Sequence, residues 1–367
     1  MFDNPSLLLD TAATPEGQFN WKSPSNLAIV KYWGKYGVQY PRNPSISFTL
    51  ENAFTQTILA YELKTDQGEG ISLDFTFHGE ENEAFKTKMV KFLGSITNIF
   101  PFLNQLHLTI KSGNSFPHSA GIASSASSMS ALALSLCSLE DELFQTLQDD
   151  VLFDKKASYV ARLGSGSACR SIYGGMAAWG KTEVISGSSN DYAVSFSEEL
   201  HDIYKNFHDD ILIASKSEKS VSSRAGHALM EGNDYATPRY QQANARMKKL
   251  VEVLKNGDVE TFGTIAENEA LTLHALMMTS DPSYILMRPN SLKMIELIRN
   301  YRAETKHPIY FSLDAGPNLH VLYPESVIHE VRPFIEEQLV PLCEEDLWIS
   351  DWVGEGPEQL EEVGEGQ

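Results

Sequence analysis

Cysteine is scarce in this chain: Cys137, Cys169 and Cys343 are the only three among 367 residues. An odd count at no metal-ligand spacing excludes a disulfide framework and a structural zinc site. Positive charge is also short, with 29 basic against 49 acidic residues, a net charge of −20 and no cluster of lysine and arginine. That balance repels a polyanion, so nucleic acid is excluded as a partner. No apolar run approaches the length of a membrane span, and the opening MFDNPSLLLD has no positive n-region. A cytoplasmic protein with no membrane partner is therefore expected. The ten histidines show no HExxH spacing, and core or solvated positions are expected for them.

What is present describes a folded chain, 42% hydrophobic and 21% charged. The length exceeds what one hydrophobic core usually fills, so two domains are expected, 1–205 and 206–350, with an acidic, Gly-rich tail over 351–367 that should fray. Leu27 to Val30 reads as a strand, and alternation over Pro44–Leu50 and Ile71–Phe77 marks two more. Phe85, Met89, Phe92, Leu93, Ile96 and Phe100 share one helical face, so a helix is expected over Asn82–Phe100. Alternation returns at Leu106, Leu108 and Ile110. Further helices are expected over Val151–Leu163, Pro238–Lys255, Val259–Met277 and Ser291–Glu304. Strands are expected over Gly175–Trp179, Ile211–Ser215, Ile309–Leu313 and Leu319–Tyr323. Because strands and helices do not alternate one for one, the fold class is α+β rather than a doubly wound parallel sheet.

One stretch organises the chain: Phe116–Ser128, FPHSAGIASSASS, which feeds the apolar run beginning at Met129. Small side chains let backbone N–H groups approach a ligand, and a helix starting just after them directs its positive end at an anion. The run is not a Walker A motif, and the same composition also serves flexible connectors and tight helix packing. Other residues can carry chemistry. Lys31 and Lys35, in IVKYWGK, follow an apolar strand; read alone, they fit surface lysines whose stems cover Tyr32 and Trp33. Arg170, in GSGSACR beside Ser165 and Ser167, suits either a phosphate or carboxylate site or a structural ion pair. Asp314, in SLDAGPN, stands at a strand end where the chain turns, and a turn-forming role is the ordinary one there. KSVSSRAGH, Lys219–His227, is a polar loop or a helix N-cap.

Together NLAIVKYWGK, NPSISFTL, FPHSAGIASSASS, RLGSGSACRSIYGG, KSVSSRAG and SLDAGPN resemble the successive signatures of diphosphomevalonate decarboxylases, in the GHMP kinase superfamily. The resemblance runs from Asn26 to Asn318 in the family's order. It implies a GHMP-kinase-like fold, with an ATP-binding first domain like ribosomal protein S5 domain 2 and a second, helix-covered antiparallel sheet. It implies ATP-dependent decarboxylation of mevalonate 5-diphosphate, in the mevalonate pathway of isoprenoid biosynthesis, with ATP and Mg2+. The metal is expected on the nucleotide phosphates, so no protein ligand is assigned to it. A homodimer is the assembly relatives commonly form.

Carried over residue by residue, the resemblance makes Asp314, Lys31 and Arg170 catalytic. Tyr32, Lys35, Ser165, Ser167, Arg170 and Ser223 would bind substrate, with Ser222 the alternative to Ser223. Ser119, Ala120, Gly121, Ile122, Ala123, Ser124, Ser125 and Ser127 would wrap the ATP phosphates. The sequence departs from relatives at His118-Ser119, where Thr-Ala is frequent, and at Ser127-Ser128, where Ala-Gly is usual. The added hydroxyls are expected to cap N–H groups at the helix start. Two alternatives stay open: a mevalonate 5-phosphate decarboxylase or mevalonate kinase-type enzyme, and an idle nucleotide- or metabolite-binding sensor.

Overall fold

A computed structural model describes residues 1–10, 14–65, 68, 70–117, 122–217 and 221–361. Strand β1 (Gly17–Val30) leads through the short ribbon of β2 (Lys35–Tyr36) and β3 (Tyr40–Pro41) into the long β4 (Ser45–Leu63). Then come β5 (Ser72–Phe77), β6 (Glu80–Glu81), α1 (Glu83–Ser95), β7 (Leu106–Asn114), α2 (Ser124–Phe144) and α3 (Asp150–Gly164). After a 3-10 turn at Gly166–Ile172, β8 (Met176–Trp179) and β9 (Ala193–Ser195) complete the first half. The second half holds β10 (His208–Leu212), α4 (Ser223–Ala228), α5 (Ala236–Asn256), α6 (Val259–Met278) and α7 (Pro289–Thr305). It closes with β11 (Tyr310–Ser312), β12 (Leu319–Tyr323), α8 (Ile328–Phe334), β13 (Trp348–Ile349) and β14 (Glu358–Leu360).

Two sheets result. The first has the order β14-β1-β4-β7-β5-β6, with β8 against β4 and β9 against β8; the second runs β11-β12-β10-β13. Every pairing in them is antiparallel except β5 with β7. The first sheet and α2 and α3 enclose one core, around Leu108, Leu132, Leu136 and Val160. The second sheet packs α7 and α8 on one face, around Phe311, Val321, Ile298 and Val331. A third cluster joins the halves, with Ile29, Ile46 and Phe48 of the first sheet against Met247, Leu250 and Phe262 of α5 and α6. This is the α+β architecture expected, and the strand and helix positions agree to within a few residues for most elements.

Three local expectations fail for physical reasons. The helix after the Gly/Ala/Ser run begins at Ser124, not at Met129, because serine and alanine can form the first turn once the chain has entered it. Helix α1 ends at Ser95; Ile96 and Phe100 reach the core from the turn that follows. Of the C-terminal stretch expected to fray, the described residues 351–361 are built into the fold: Asp351 and Val353 are buried, and Glu358–Leu360 pairs with Asn20–Lys22 of β1. Its acidic composition hides this role, since an edge strand needs only backbone groups to pair.

Candidate active site

Several chain segments converge on a cavity of about 590 Å³. Lys31 directly follows β1, Asp314 follows β11, Arg170 lies in the 3-10 turn after α3, and α2 points its N-terminus inward. The cavity wall carries Lys31, Lys35, Lys88, Arg170 and Arg224, with Asp314 as its one carboxylate among the described residues. A strongly acidic protein thus keeps a local cationic site, which low-dielectric walls make effective for anions.

Lys31 is 2% exposed, and its ammonium donates to Asp314 Oδ1 and to the Ala28 carbonyl, each at 2.8 Å. Its backbone is clamped as well. Its N–H donates to Glu269 Oε2 at 2.9 Å, and its carbonyl accepts from Arg239 at 2.7 Å and from Asn43 at 3.1 Å. Glu269 is fully buried, and Arg239 and Arg246 both donate to it. Burial by itself would raise its pKa; the hydrogen bonds and charge of the two arginines outweigh that and hold it below the usual carboxylate range. Behind Asp314, His274 Nε2 lies 3.1 Å from its carbonyl oxygen. Nearby, the buried His320 Nδ1 lies 2.7 Å from Asp209 Oδ1.

Arg170 is held differently. Its guanidinium is buried and donates to Ser47 Oγ at 2.8 Å, Ser45 Oγ at 2.7 Å and Asn26 Oδ1 at 3.1 Å, all neutral acceptors. No carboxylate among the described residues pairs with it within salt-bridge distance. A buried cation without an anionic partner is costly unless an anion arrives. The ion-pair reading of Arg170 is therefore set aside. Tyr32 packs beneath it, 5.7 Å from ring centroid to guanidinium, and burial raises the Tyr32 phenol above its ordinary pKa. Lys35 bonds Gln39 Oε1 at 2.7 Å; burial, and then the charge of Arg224, pull its pKa down to about 8. The surface reading of both lysines fails, because the chain folds over their stems.

Ala123, the N-cap of α2, has φ +48° and offers no side-chain cap; the Ala126 N–H donates to the Ala123 carbonyl, while among the described residues the N–H groups of Ser124 and Ser125 meet no partner and are available for an anion. Ser125 Oγ and Ser165 Oγ face each other at 3.2 Å across the cavity wall. A second cavity of about 510 Å³ adjoins this helix start, lined by Phe75, Phe77, Phe85, Met89 and Ser128. It shares Lys88, Ser125 and Arg224 with the first.

The structure brings Lys31, Tyr32, Lys35, Ala123, Ser125, Ser165, Ser167, Arg170, Ser223 and Asp314 to one cavity, with Ser124 on the adjoining one. Two assigned residues do not fit. Ser127 is fully buried against β4, its Oγ 2.6 Å from Thr55 Oγ1, and cannot reach a nucleotide through its side chain. Ile122 turns its side chain into an apolar cluster with Leu50 and Phe116. The hydroxyls of Ser127 and Ser128 do not cap N–H groups either; both donate back to the Ser124 carbonyl. His118, Ser119, Ala120 and Gly121 lie outside the described residues. Of the two serines in the VSSRAG loop, Ser222 is the N-cap of α4, accepting from the Ala225 N–H at 3.2 Å.

With this geometry, comparison with known proteins is decisive. Residues 23–192 match the diphosphomevalonate decarboxylase-like N-terminal domain, and residues 210–360 the mevalonate 5-diphosphate decarboxylase C-terminal domain. The diphosphomevalonate decarboxylase of Debaryomyces hansenii is 30% identical over 83% of this chain and 78% of its own. The chain belongs to the diphosphomevalonate decarboxylase family. Mevalonate diphosphate decarboxylase from Staphylococcus aureus superimposes with a TM-score of 0.80 at 27% identity, over 95% of this chain and 99% of that one. A family structure solved with MVAPP, AMPPCP and magnesium gives a TM-score of 0.79 at 27% identity, over 95% and 100% of the two chains.

Several site residues of this family member escaped the motif reading. Asn26, Ser45 and Ser47 hold Arg170, Glu269 and Arg239 clamp Lys31, and Lys88, Arg224 and His227 line the cavity. Asn26, Ser45 and Ser47 lie inside quoted motifs, where a polar residue within an apolar strand was the signal. Nothing in the sequence pairs Glu269 with Lys31.

Proposed function

We propose that this chain catalyses the ATP-dependent decarboxylation of mevalonate 5-diphosphate to isopentenyl diphosphate. The observation that carries this reading is the Lys31–Asp314 pair set beside Arg170, a buried cation whose protein partners are all neutral. Asp314 keeps about a quarter of its side chain exposed, 24%, while its Oδ1 is held by Lys31. Its carboxylate serves as base or orienting acceptor for the 3-hydroxyl. Oxygen 3 then attacks the γ-phosphorus of ATP and ADP leaves. The tertiary C–O bond breaks with loss of phosphate, and the electron pair of the C–CO2 bond fills the cationic carbon to form the alkene. Arg170 takes the substrate carboxylate or diphosphate and offsets repulsion between the anionic reactants.

Tyr32, Lys35, Ser165, Ser167 and Ser223 meet the substrate, and the open start of α2 with Ser124 and Ser125 takes the ATP phosphates. The apolar cavity at 510 Å³ suits the nucleoside. Mg2+ enters with the nucleotide and neutralises its phosphates; among the described residues no cluster of three or more His, Cys, Asp or Glu is placed to hold a metal. We further read the chain as two domains divided near residues 205 and 206, acting as a cytoplasmic homodimer. Three buried thiols suit a reducing compartment, and sedimentation of the purified chain tests the dimer.

Purified protein is incubated with ATP, Mg2+ and mevalonate, its 5-phosphate or its 5-diphosphate, with ADP, phosphate and CO2 followed. Release of all three products from the 5-diphosphate is expected. ADP without CO2 makes the chain a kinase, CO2 from the 5-phosphate alone reassigns its substrate, and no turnover of any compound makes it a sensor.

A further inference from the structure

His227 is given no role by the motifs, yet it lines the cavity described above. Residue Gly226 lets this happen. A Cβ there would meet Tyr284 Oη at 2.6 Å and Trp33 Cζ2 at 2.7 Å, so only glycine allows α4 to lie against the KYWG turn. His227 then sits between two rings, with centroids 4.8 Å from Tyr32 and 4.4 Å from Trp33. It is 7% exposed and lines the same cavity as Lys35, Arg224 and Ser223.

Hydrogen bonding sets the tautomer. The Gly34 N–H donates to His227 Nδ1 at 2.9 Å, so Nδ1 is an acceptor and the ring proton of the neutral imidazole resides on Nε2. Burial, and then the neighbouring Lys35 charge, hold the ring well below its ordinary pKa and so keep it neutral. Nε2 meets no acceptor among the described residues, and it is not among the polar atoms sealed from solvent. It is an oriented donor in a ring that lines this cavity and, with Gly34 and Glu231, a smaller one of about 120 Å³; Lys35 lines both.

We infer that His227 is a binding residue for the substrate's diphosphate, donating from Nε2 to one of its oxygens and so favouring the 5-diphosphate over the 5-phosphate. The inference rests on the reading that mevalonate 5-diphosphate occupies this cavity. A neutral donor suits the place. Lys35 and Arg224 already repel each other there, and a third cation would deepen that repulsion in the unliganded protein.

Two substitutions separate the ring's two nitrogens. Asparagine, shorter, keeps an acceptor near Nδ1 for Gly34 and loses the cavity donor; glutamine reaches the Nε2 position and loses the Gly34 acceptor. Calorimetry without nucleotide measures Kd for mevalonate 5-diphosphate and for the 5-phosphate, with circular dichroism as the folding control. H227N is expected to weaken 5-diphosphate binding by about 10- to 100-fold, the scale of a hydrogen bond to a charged group, and to shift 5-phosphate binding by less. H227Q is expected to stay within about threefold of the parent chain. The opposite order, with H227N near the parent and H227Q weak, would show that His227 acts only by holding the turn, and overturns the inference. So does equal loss for both ligands. If H227N does not fold, retention of diphosphate preference in H227Q supports the inference and its loss overturns it. Binding without CO2 release would overturn the reaction proposed above and leave this comparison standing; no binding by the parent chain overturns both.

Discussion

Asp314 and Lys31 divide the work of one site, because the lysine is consumed in holding the carboxylate. Asp314→Asn keeps the shape and removes the charge proposed to accept the hydroxyl proton or orient the hydroxyl. We expect kcat to fall by about a thousandfold or more, with ATP binding kept within about threefold; parallel loss of both would deny Asp314 its role. Lys35 is the residue at which pH should be felt. With its pKa drawn down to about 8, it is charged below that pH and neutral above it, so its hold on an anion weakens as pH rises. The kcat/KM for mevalonate 5-diphosphate should fall above pH 8 in the parent chain. Lys35→Arg, charged throughout, should show no such limb. A limb that persists in Lys35→Arg assigns it to another group.

Elements matter because they clamp the site from behind. Helix α6 delivers Glu269 to the Lys31 N–H while α5 delivers Arg239 to Glu269 and to the Lys31 carbonyl. Two helices of the second half thus set the position of a strand end from the first. Glu269→Gln leaves Arg239 buried without its anion. Breaking a buried pair from one side costs about 3–5 kcal/mol, read as a lower urea midpoint, and displacement of Lys31 should lower kcat as well. A midpoint shift with kcat intact would show that the clamp stabilises without positioning. Helix α2 is the reverse case: most of its side chains pack into the core, and among the described residues the N–H groups of Ser124 and Ser125 at its start meet no partner.

For the whole molecule, the cationic cavity lies where both halves meet, so a net charge of −20 does not prevent anionic substrates from binding. The chain returns at its end to the first sheet, where β14 covers the edge of β1 and Asp351 accepts from the N–H groups of Glu51, Asn52 and Ala53. Deleting residues 355–367 uncovers that edge without removing any cavity residue. A Tm lower by roughly a few degrees with turnover retained is expected, measured by calorimetry and CO2 release; unchanged Tm would mean that β14 contributes nothing.

Local pattern was enough for much of this. Alternation over Leu106–Ile110 and the helical face of Phe85, Met89 and Phe92 are set by which side of one element meets a core, and the sequence states that directly. The motifs likewise named Lys31 and Asp314, which follow strands, and Arg170, in the 3-10 turn after α3, since a charged residue stands out beside an apolar element. Composition misled at Ser127, which looked like a ligand for phosphate, and at Ser127 and Ser128 together, whose hydroxyls were expected to cap N–H groups and instead bond within the protein. It misled again at the acidic C-terminus, where pairing uses backbone alone.

Sequence by itself determined most of the elements, the family signatures and the charged residues available for chemistry, because these depend on neighbours a few positions apart. Only the tertiary structure decided what each charge faces. Arg170 could have been an ion pair until Ser45, Ser47 and Asn26 arrived from distant strands. Glu269 reaches Lys31 across 238 positions of chain, and His227 reaches Gly34 across 193. Hydrogen bonds and burial act over a few ångströms in space, whatever the distance along the chain, and that is why the states of these groups could not be read before the chain was folded.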